Sequence, residues 1–143
     1  MVTIRTLFAA SLLLGVATAH AQSTLGELLD KGGKKLGKDH YAAYFPATIN
    51  YVWPDKQGEG ELNYKSDGTL SGTEYHYASR TTSTAVGTWT VDDNGKWCIK
   101  KYLATWNRNT DVCWYSFDLN GAYFGALSDT DRNVRVVPAG AKK

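Results

Sequence analysis

The residues best suited to acid–base or metal chemistry are His76 and three nearby carboxylates. A two-residue turn at Asp67-Gly68 would place Glu61 opposite Glu74 on neighbouring strands. The same register would place Glu59 opposite His76. In such a cluster the pKa of one of the groups could be raised, which would suit acid–base catalysis, or the carboxylates and the histidine could bind a metal. A solvated strand face is the simpler interpretation, and like charges opposite each other also indicate a register shifted by one residue.

The usual catalytic motifs are missing from the sequence. It contains no Gly-x-Ser-x-Gly elbow, no His-Glu-x-x-His pair and no phosphate-binding glycine loop. A Ser-His-Asp triad would have to use His76 or His40, and neither has a recognisable partner motif. His40 is expected in a short helix as an ordinary surface residue. We therefore assign no catalytic residue and no cofactor, and we expect the protein not to be an enzyme.

A run of oxygen-bearing side chains, Asp129-Thr130-Asp131-Arg132-Asn133, resembles the start of a calcium-binding loop. An EF-hand needs glycine at the sixth position and glutamate at the twelfth, where this chain has Val134 and Gly140. That comparison excludes an EF-hand and leaves a looser calcium site as an alternative. We instead expect the two aspartates to cap a turn and to pair with Arg132 or Arg135, and we assign no metal site.

Cys98 and Cys113 are the two cysteines of the chain. An even cysteine count in an oxidising compartment favours a disulfide. The alternative is a two-cysteine metal site, but neither cysteine has a histidine nearby and the spacing is not a zinc pattern. We predict a Cys98–Cys113 disulfide.

The first 21 residues predict a removable export signal. Arg5 opens a positively charged start, residues 7–16 are mostly apolar, and Ala19-His20-Ala21 is a small-x-small cleavage site before Gln22. The apolar stretch is shorter than the roughly 20 residues that a membrane helix needs, so we expect no membrane insertion. The alternative is a buried N-terminal helix. We expect a periplasmic or secreted protein.

Composition indicates one β-rich domain after that signal. Removing residues 1–21 leaves 122 of the 143 residues, which suits a single domain over 22–143. Fourteen Gly, nine Tyr and five Trp against one Met favour strands and turns over a coiled coil or a helical bundle. The chain has 16 basic and 14 acidic residues, and its basic residues form no long run, so we expect no nucleic-acid partner. We expect a monomer.

Two short helices are predicted over residues 22–46. Thr24 and Glu27 have capping-box spacing ahead of a leucine stripe, and Gly32-Gly33 interrupts that helix. A second helix is expected from about Lys38 to residue 45, where Pro46 ends it.

From residue 47 to 138 the pattern changes to alternating strands. Asp67-Gly68, Asn94-Gly95 and Asn120-Gly121 are hairpin signals, and polar stretches at 80–84 and 106–109 would form the turns at the opposite end. Such alternation predicts a mainly β (α+β) fold, with an antiparallel up-and-down meander sheet or a partial lipocalin-like barrel.

Two-residue loops and the disulfide together predict a register. Asn94-Gly95 would pair Val91 with Cys98 and Trp89 with Lys100. Asn120-Gly121 would pair Phe117 with Phe124 and Tyr115 with Ala126. The disulfide would pair Trp97 with Trp114, Ile99 with Val112, and Lys100 with Asp111.

Alternation then sorts the side chains onto two faces. The face expected to form the core carries Trp89, Val91, Cys98, Cys113, Tyr115, Phe117, Phe124 and Ala126. The opposite face carries Thr88, Thr90, Trp97, Ile99, Val112, Trp114, Tyr123 and Leu127. This second face is too aromatic for an ordinary solvated surface, so either the helices cover it or Trp97, Trp114 and Tyr123 bind a ligand or partner.

Gly87-Thr88-Trp89, Lys96-Trp97-Cys98 and Asp111-Val112-Cys113-Trp114 form a characteristic block. Together with the stretch from Leu28 to Leu36 and the Asp67-Gly68-Thr69 turn, this block resembles small exported bacterial proteins of the domain-of-unknown-function 995 type. The resemblance covers most of the chain after residue 21. It implies export and a small β domain, and it brings no activity or catalytic residue.

These observations rank three classes of function. The first is an exported, disulfide-linked binding or interaction module with an unknown small ligand or protein partner. The second is a structural or inhibitor/immunity-type envelope protein. A small hydrolase or metal-binding protein that uses His76 and nearby carboxylates is the least favoured.

Overall fold

The computed structural model describes residues 24–142, where two short helices accompany ten strands. The export signal expected over residues 1–21 and the start expected at Gln22 lie outside the described residues. The helices are α1 (Leu25–Asp30) and α2 (Lys38–Tyr44). The strands are β1 (Lys34–Lys35), β2 (Ala47–Val52), β3 (Gly58–Tyr64), β4 (Thr69–His76), β5 (Thr81–Val91), β6 (Lys96–Leu103), β7 (Arg108–Leu119), β8 (Ala122–Ala126), β9 (Val136–Pro138) and β10 (Ala141–Lys142).

Both predicted helices are present. The Thr24 hydroxyl oxygen accepts a hydrogen bond from the Glu27 N–H at 3.3 Å, so Thr24 caps α1 as its spacing predicts. Leu25 and Leu28 of this helix are fully buried. α2 ends just before Phe45-Pro46, because the residue preceding a proline favours an extended backbone.

The strands form the predicted antiparallel meander. β2 to β8 pair consecutively, and the sheet curls into a half-barrel. The last segment, residues 136–142, contains both β9, which pairs with β8, and β10, which pairs with β2. One C-terminal segment therefore contacts both edges of the curled sheet.

Two of the three predicted hairpin turns differ from expectation. Asn120-Gly121 forms the predicted two-residue turn, with φ of 53° and 85°. The loops that contain Gly68 and Gly95 have three residues each, and only their glycines have a positive φ. The carboxylates of Asp67 and Asp92 accept backbone N–H hydrogen bonds within these loops, which stabilises the longer turn.

One additional loop residue shifts the pairing by one position and exchanges the faces of a strand. Trp89 therefore pairs with Ile99, and Val91 pairs with Trp97. The expected pairing of Trp89 with Lys100 and of Val91 with Cys98 is wrong. The residues that lie on the face opposite to the predicted one are Thr88, Trp89, Thr90 and Val91.

The predicted pairing between β6 and β7 is confirmed. Cys98 and Cys113 form a disulfide, with Cα atoms 4.0 Å apart. Trp97 lies opposite Trp114 in the same register. The pairing of β7 with β8 also follows the prediction, with Phe117 opposite Phe124 and Tyr115 opposite Ala126.

The turns at the other end of the sheet begin slightly earlier than predicted. Residues 77–80 and 104–107 form them, in place of 80–84 and 106–109. Arg80 and Asn107 end these turns with φ of 54° and 46°.

The sheet buries apolar side chains on both faces. The larger cluster lies on the concave face, where Tyr41 of α2 and Phe45 cover the sheet. A smaller cluster on the convex face packs Phe117 and Ala126 against α1. The expectation that the Cys98 face forms the core is thus only partly correct, since most of the core lies on the Trp97 face. The members of the larger cluster are Tyr41, Phe45, Ile49, Leu62, Tyr64, Leu70, Ala85, Ile99 and Leu103.

Within residues 24–142, neither helix has the length and apolar character needed to cross a membrane.

Candidate ligand-binding cavity

A cavity of about 480 Å³ lies between the concave face of the sheet and α2. Its walls are mainly aromatic and aliphatic, with a few polar groups from the central strands. Alternation along β6 and β7 brings every second side chain of these strands to the wall. Representative wall residues are Tyr41, Phe45, Ile49, Trp97, Ile99 and Trp114.

α2 and the residue after it close one end of the cavity. The Phe45 ring lies 4.9 Å from the Tyr64 ring and 4.6 Å from the Trp89 ring, measured between centroids. The Tyr41 ring lies 5.9 Å from the Trp97 ring. Aromatic contacts at these distances stabilise the packing beyond the area that they bury, so this end of the cavity has a rigid aromatic wall.

The three aromatic residues predicted to bind a ligand lie at this end. Trp97 and Trp114 are half-buried cross-strand neighbours in the cavity wall. Tyr123 also lines the cavity and is 36% exposed, with its ring 5.6 Å from that of His40 and 6.2 Å from that of Tyr44. The face that carries Trp97, Trp114 and Tyr123 is neither an open binding face nor completely buried under the helices. α2 covers it and leaves a cavity between the helix and the sheet. His40 also lines the cavity and stacks on Tyr44, and it is half-buried, so its expected surface position is only partly correct.

Two polar atoms in this wall are buried without a hydrogen-bond partner, the Tyr41 hydroxyl and the Trp97 indole nitrogen. Burial raises the pKa of Tyr41, and the nearby Ser116 opposes that increase without reaching hydrogen-bond geometry. An unpartnered buried donor costs about 1–3 kcal/mol, so we do not expect either group to stabilise the fold.

The cavity reaches the surface beside β7. The pairing of β7 with β8 begins at Tyr115, so the described strands leave that edge of β7 unpaired from Arg108 to Trp114. Arg108 and Thr110 line the cavity here, and Pro54 in the loop between β2 and β3 also lines it. Because Arg108 and Pro54 are exposed as well as lining the cavity, we infer that its mouth lies at this edge.

Three polar side chains from three strands meet in the cavity wall. Lys101 of β6 forms an ion pair with Oε1 of Glu74 on β4, and their side chains are only 9% and 3% exposed. The Tyr51 hydroxyl of β2 donates to the same oxygen of Glu74 and accepts a hydrogen bond from Lys101 Nζ at 3.0 Å. We call these three residues the polar cluster. Burial, together with the Glu74 carboxylate, raises the pKa of Tyr51 far above its usual range, so its hydroxyl keeps the proton that it donates.

A glycine makes room for the polar cluster. Gly60 lies directly opposite Glu74 in the register. A Cβ atom at this position would lie 2.8 Å from atoms of the Tyr51 ring. Glycine at position 60 therefore lets the Tyr51 ring cross over β3 and reach Glu74.

The sequence revealed only part of this cluster. Glu74 is among the residues predicted for acid–base chemistry, whereas Tyr51 and Lys101 are not. The available signal was alternation, because Lys100 and Lys101 are adjacent in β6 and must lie on opposite faces. Lys100 is exposed next to Asp111, so Lys101 enters the concave face.

The predicted grouping of carboxylates around His76 does not form. In the observed register Glu74 lies opposite Gly60 and His76 lies opposite Gly58, so the expected pairs with Glu61 and Glu59 are wrong. The same alternation places Glu59 and Glu61 on the convex face.

His76 instead belongs to an aromatic cluster near the turn at residues 77–80. Its ring lies 5.7 Å from that of Trp53 and 6.3 Å from that of Trp106. Its Nδ1 accepts a hydrogen bond from the Ser79 N–H at 3.2 Å, so this turn orients the ring.

The acidic run after β8 also has partners other than those predicted. Asp129 pairs with Lys35 at 2.9 Å, and the hydrogen bond from Lys35 lowers the pKa of Asp129. Arg132 pairs with Asp30 of α1 at 2.6 Å, not with either neighbouring aspartate. Asp131 does cap the turn, since its Oδ1 accepts the Asn133 N–H. Across residues 24–142 no group of three or more histidine, cysteine or acidic side chains is arranged to hold a metal ion.

Comparison of the chain with protein-family models, curated proteins and solved structures found no match.

Proposed function

We propose that this protein is a binding module that holds a small, mainly apolar molecule in the cavity between α2 and the curled sheet. The observation that carries the proposal is the cavity itself, at about 480 Å³ with largely aromatic walls. Ligand sites in proteins are commonly concave, 300–1,000 Å³ in volume, and mostly apolar with a few placed polar groups. The proposed role is binding rather than catalysis, because the sequence contains no recognisable catalytic motif.

The construction of the cavity walls also supports ligand binding. The walls consist of paired strands and packed aromatic rings, so the ligand would meet a preformed surface. Little free energy would be lost in ordering the protein on binding. Trp97 and Trp114 present flat ring surfaces that suit an aromatic or alicyclic ligand. Entry would occur beside the unpaired edge of β7, near Arg108 and Pro54.

The test is the binding of a neutral apolar fluorescent probe, N-phenyl-1-naphthylamine, to the folded protein. We expect saturable binding at one site and its loss in Thr110→Trp, because this larger side chain would fill the mouth. Thr88→Trp is the matched control, since Thr88 is an exposed threonine on the convex face. The absence of saturable binding, or equal losses in the two variants, would contradict the proposal.

We further propose that the protein is exported and acts in the periplasm or outside the cell. The support is the three-part signal over residues 1–21 together with the disulfide, which persists in oxidising compartments. The resemblance of several motifs to those of the domain-of-unknown-function 995 type supports a relationship to those exported proteins, and this relationship is part of the same proposal.

A further inference from the structure

We propose that the ligand is neutral and carries a hydroxyl group, which binds to the polar cluster of Tyr51, Glu74 and Lys101. This inference rests on the proposed function and specifies the chemistry of the ligand. The cluster lies in the wall of the same cavity, where most other wall residues are aromatic or aliphatic. A few polar groups in an apolar cavity fix the orientation of a ligand and provide specificity.

Glu74 offers an acceptor for the ligand. The hydrogen bonds from Tyr51 and Lys101 both end on Oε1 of Glu74. Oε2 of the same carboxylate therefore keeps its capacity to accept a hydrogen bond. Glu74 is 3% exposed and lines the cavity, so a ligand inside the cavity is able to donate a hydrogen bond to Oε2.

Lys101 offers a donor beside that acceptor. Its ammonium group has three N–H donors, of which Glu74 and Tyr51 accept two. The third is able to donate to an oxygen of the ligand. A hydroxyl group both donates and accepts, so it is the simplest single group that satisfies Glu74 and Lys101 together.

The charges of the cluster select against ionic ligands. An anion that approaches Lys101 would also approach the Glu74 carboxylate, and a cation that approaches Glu74 would approach the ammonium group. Both would also lose hydration in a mainly apolar cavity. A neutral alcohol on a planar ring suits both the polar cluster and the aromatic walls.

A purely structural ion pair is the competing explanation. Such a pair would link β2, β4 and β6 without any ligand. Buried ion pairs are weak stabilisers, because desolvation of both charges offsets most of their attraction. The two explanations differ in whether the cluster distinguishes ligands that have a hydroxyl group from ligands that lack one.

The test compares 2-naphthol, 2-methoxynaphthalene and naphthalene by isothermal titration calorimetry at neutral pH, where the naphthol is uncharged. The three share one ring system, and only 2-naphthol can donate a hydrogen bond. We expect 2-naphthol to bind at least about tenfold more tightly than the other two, as a hydrogen bond to a charged group predicts. Equal affinity for the three compounds would overturn this inference while supporting an apolar site, whereas no binding of any compound would overturn the proposed function as well.

A triple variant, Tyr51→Phe with Glu74→Leu and Lys101→Met, provides the second measurement. It removes the whole polar cluster, so neither a charge nor the Tyr51 hydroxyl is left buried without its partners. We expect naphthalene to bind at least as tightly, because the wall becomes more apolar, and the preference for 2-naphthol to disappear. A preference that persists in the folded triple variant would overturn the inference. If the variant does not fold, the comparison of the three compounds on the unaltered protein still decides the question.

Discussion

Tyr41 and Tyr51 both contribute to the cavity wall, but their hydroxyl groups have opposite surroundings. The Tyr41 hydroxyl is buried without a hydrogen-bond partner. The Tyr51 hydroxyl donates to Glu74 and accepts from Lys101. Burial raises the pKa of both phenols, so both hydroxyls remain protonated at neutral pH. The same chemical group should therefore contribute differently to stability at these two positions.

Replacement of each tyrosine by phenylalanine tests this difference. We expect Tyr51→Phe to lower the free energy of unfolding by about 1.5–3 kcal/mol, because it removes hydrogen bonds with charged partners. Tyr41→Phe should leave the free energy of unfolding unchanged or raise it, because no hydrogen bond is lost. Urea denaturation of the two matched variants measures both values. A similar loss in both variants would show that the Tyr41 hydroxyl has a stabilising partner after all.

At the scale of elements, turn geometry determines which face of a strand enters the cavity. Asn120-Gly121 closes β7 and β8 with two residues, both at positive φ. The loop at Gly95 uses one more residue, and this difference places Trp89 beside Ile99 on the concave face. On β6 and β7, the disulfide lies on the reverse side of the Trp97–Trp114 pair, because adjacent residues alternate between faces. The disulfide thus holds together the two strands that carry these tryptophans.

The two-residue turn gives a prediction at this scale. Gly121 has φ of 85°, and a Cβ atom added there would meet no atom within 4 Å, so its replacement by alanine introduces conformational strain without a clash. We expect Gly121→Ala to lower the free energy of unfolding by about 1–2 kcal/mol. Gly37→Ala is the matched control, because Gly37 is equally open but has φ of −96°. Gly37 is also the N-cap of α2, where alanine is less favourable than glycine, so we expect Gly37→Ala to cost about 0.5 kcal/mol, less than Gly121→Ala. Thermal unfolding measures both variants. Equal losses of stability in Gly121→Ala and Gly37→Ala would show that the positive φ of Gly121 is not the cause.

At the scale of the whole molecule, long-range links complete a fold that is otherwise built from local hairpins. Residues 136–142 pair with β8 and with β2, which are distant in sequence from each other. On the convex face, the Leu25 and Gly26 N–H groups of α1 donate to the carbonyls of Val134 and Arg132, and the Arg132 side chain also pairs with Asp30 at the surface. The disulfide, with a sequence separation of 15, adds about 3 kcal/mol in the chain-entropy account.

Export and the disulfide can be checked together on the whole protein. We expect the protein from the periplasm or medium to begin at Gln22 and to have a mass lower than the reduced form by two hydrogens, because oxidation joins Cys98 to Cys113. Intact mass spectrometry without and with reductant measures both features. A product that keeps residues 12–14 would contradict signal removal, and two free thiols in the exported protein would contradict the disulfide.

The sequence alone determined the features that depend on neighbouring residues. The Thr24 cap, the end of α2 before Pro46 and the Asn120-Gly121 turn each follow from the preferences of two to four adjacent residues. The pairing of β6 with β7 also followed, because a disulfide between Cys98 and Cys113 specifies its register. These local rules were sufficient for the class of fold.

Only the tertiary structure decided where the cavity lies and which polar groups enter it. The loops at Gly68 and Gly95 have three residues rather than two, and side-chain hydrogen bonds stabilise the longer form. The two loop lengths differ little in free energy, so the Asp-Gly and Asn-Gly dipeptides do not reveal which one forms. Each additional residue reverses the faces of a strand. The polar cluster joins Tyr51, Glu74 and Lys101 from three strands, and its formation depends on all three registers together with the curl of the sheet. All three registers must be correct before these side chains can meet. Contacts between side chains of several strands therefore depend on the packing of the whole sheet and not on any local pattern.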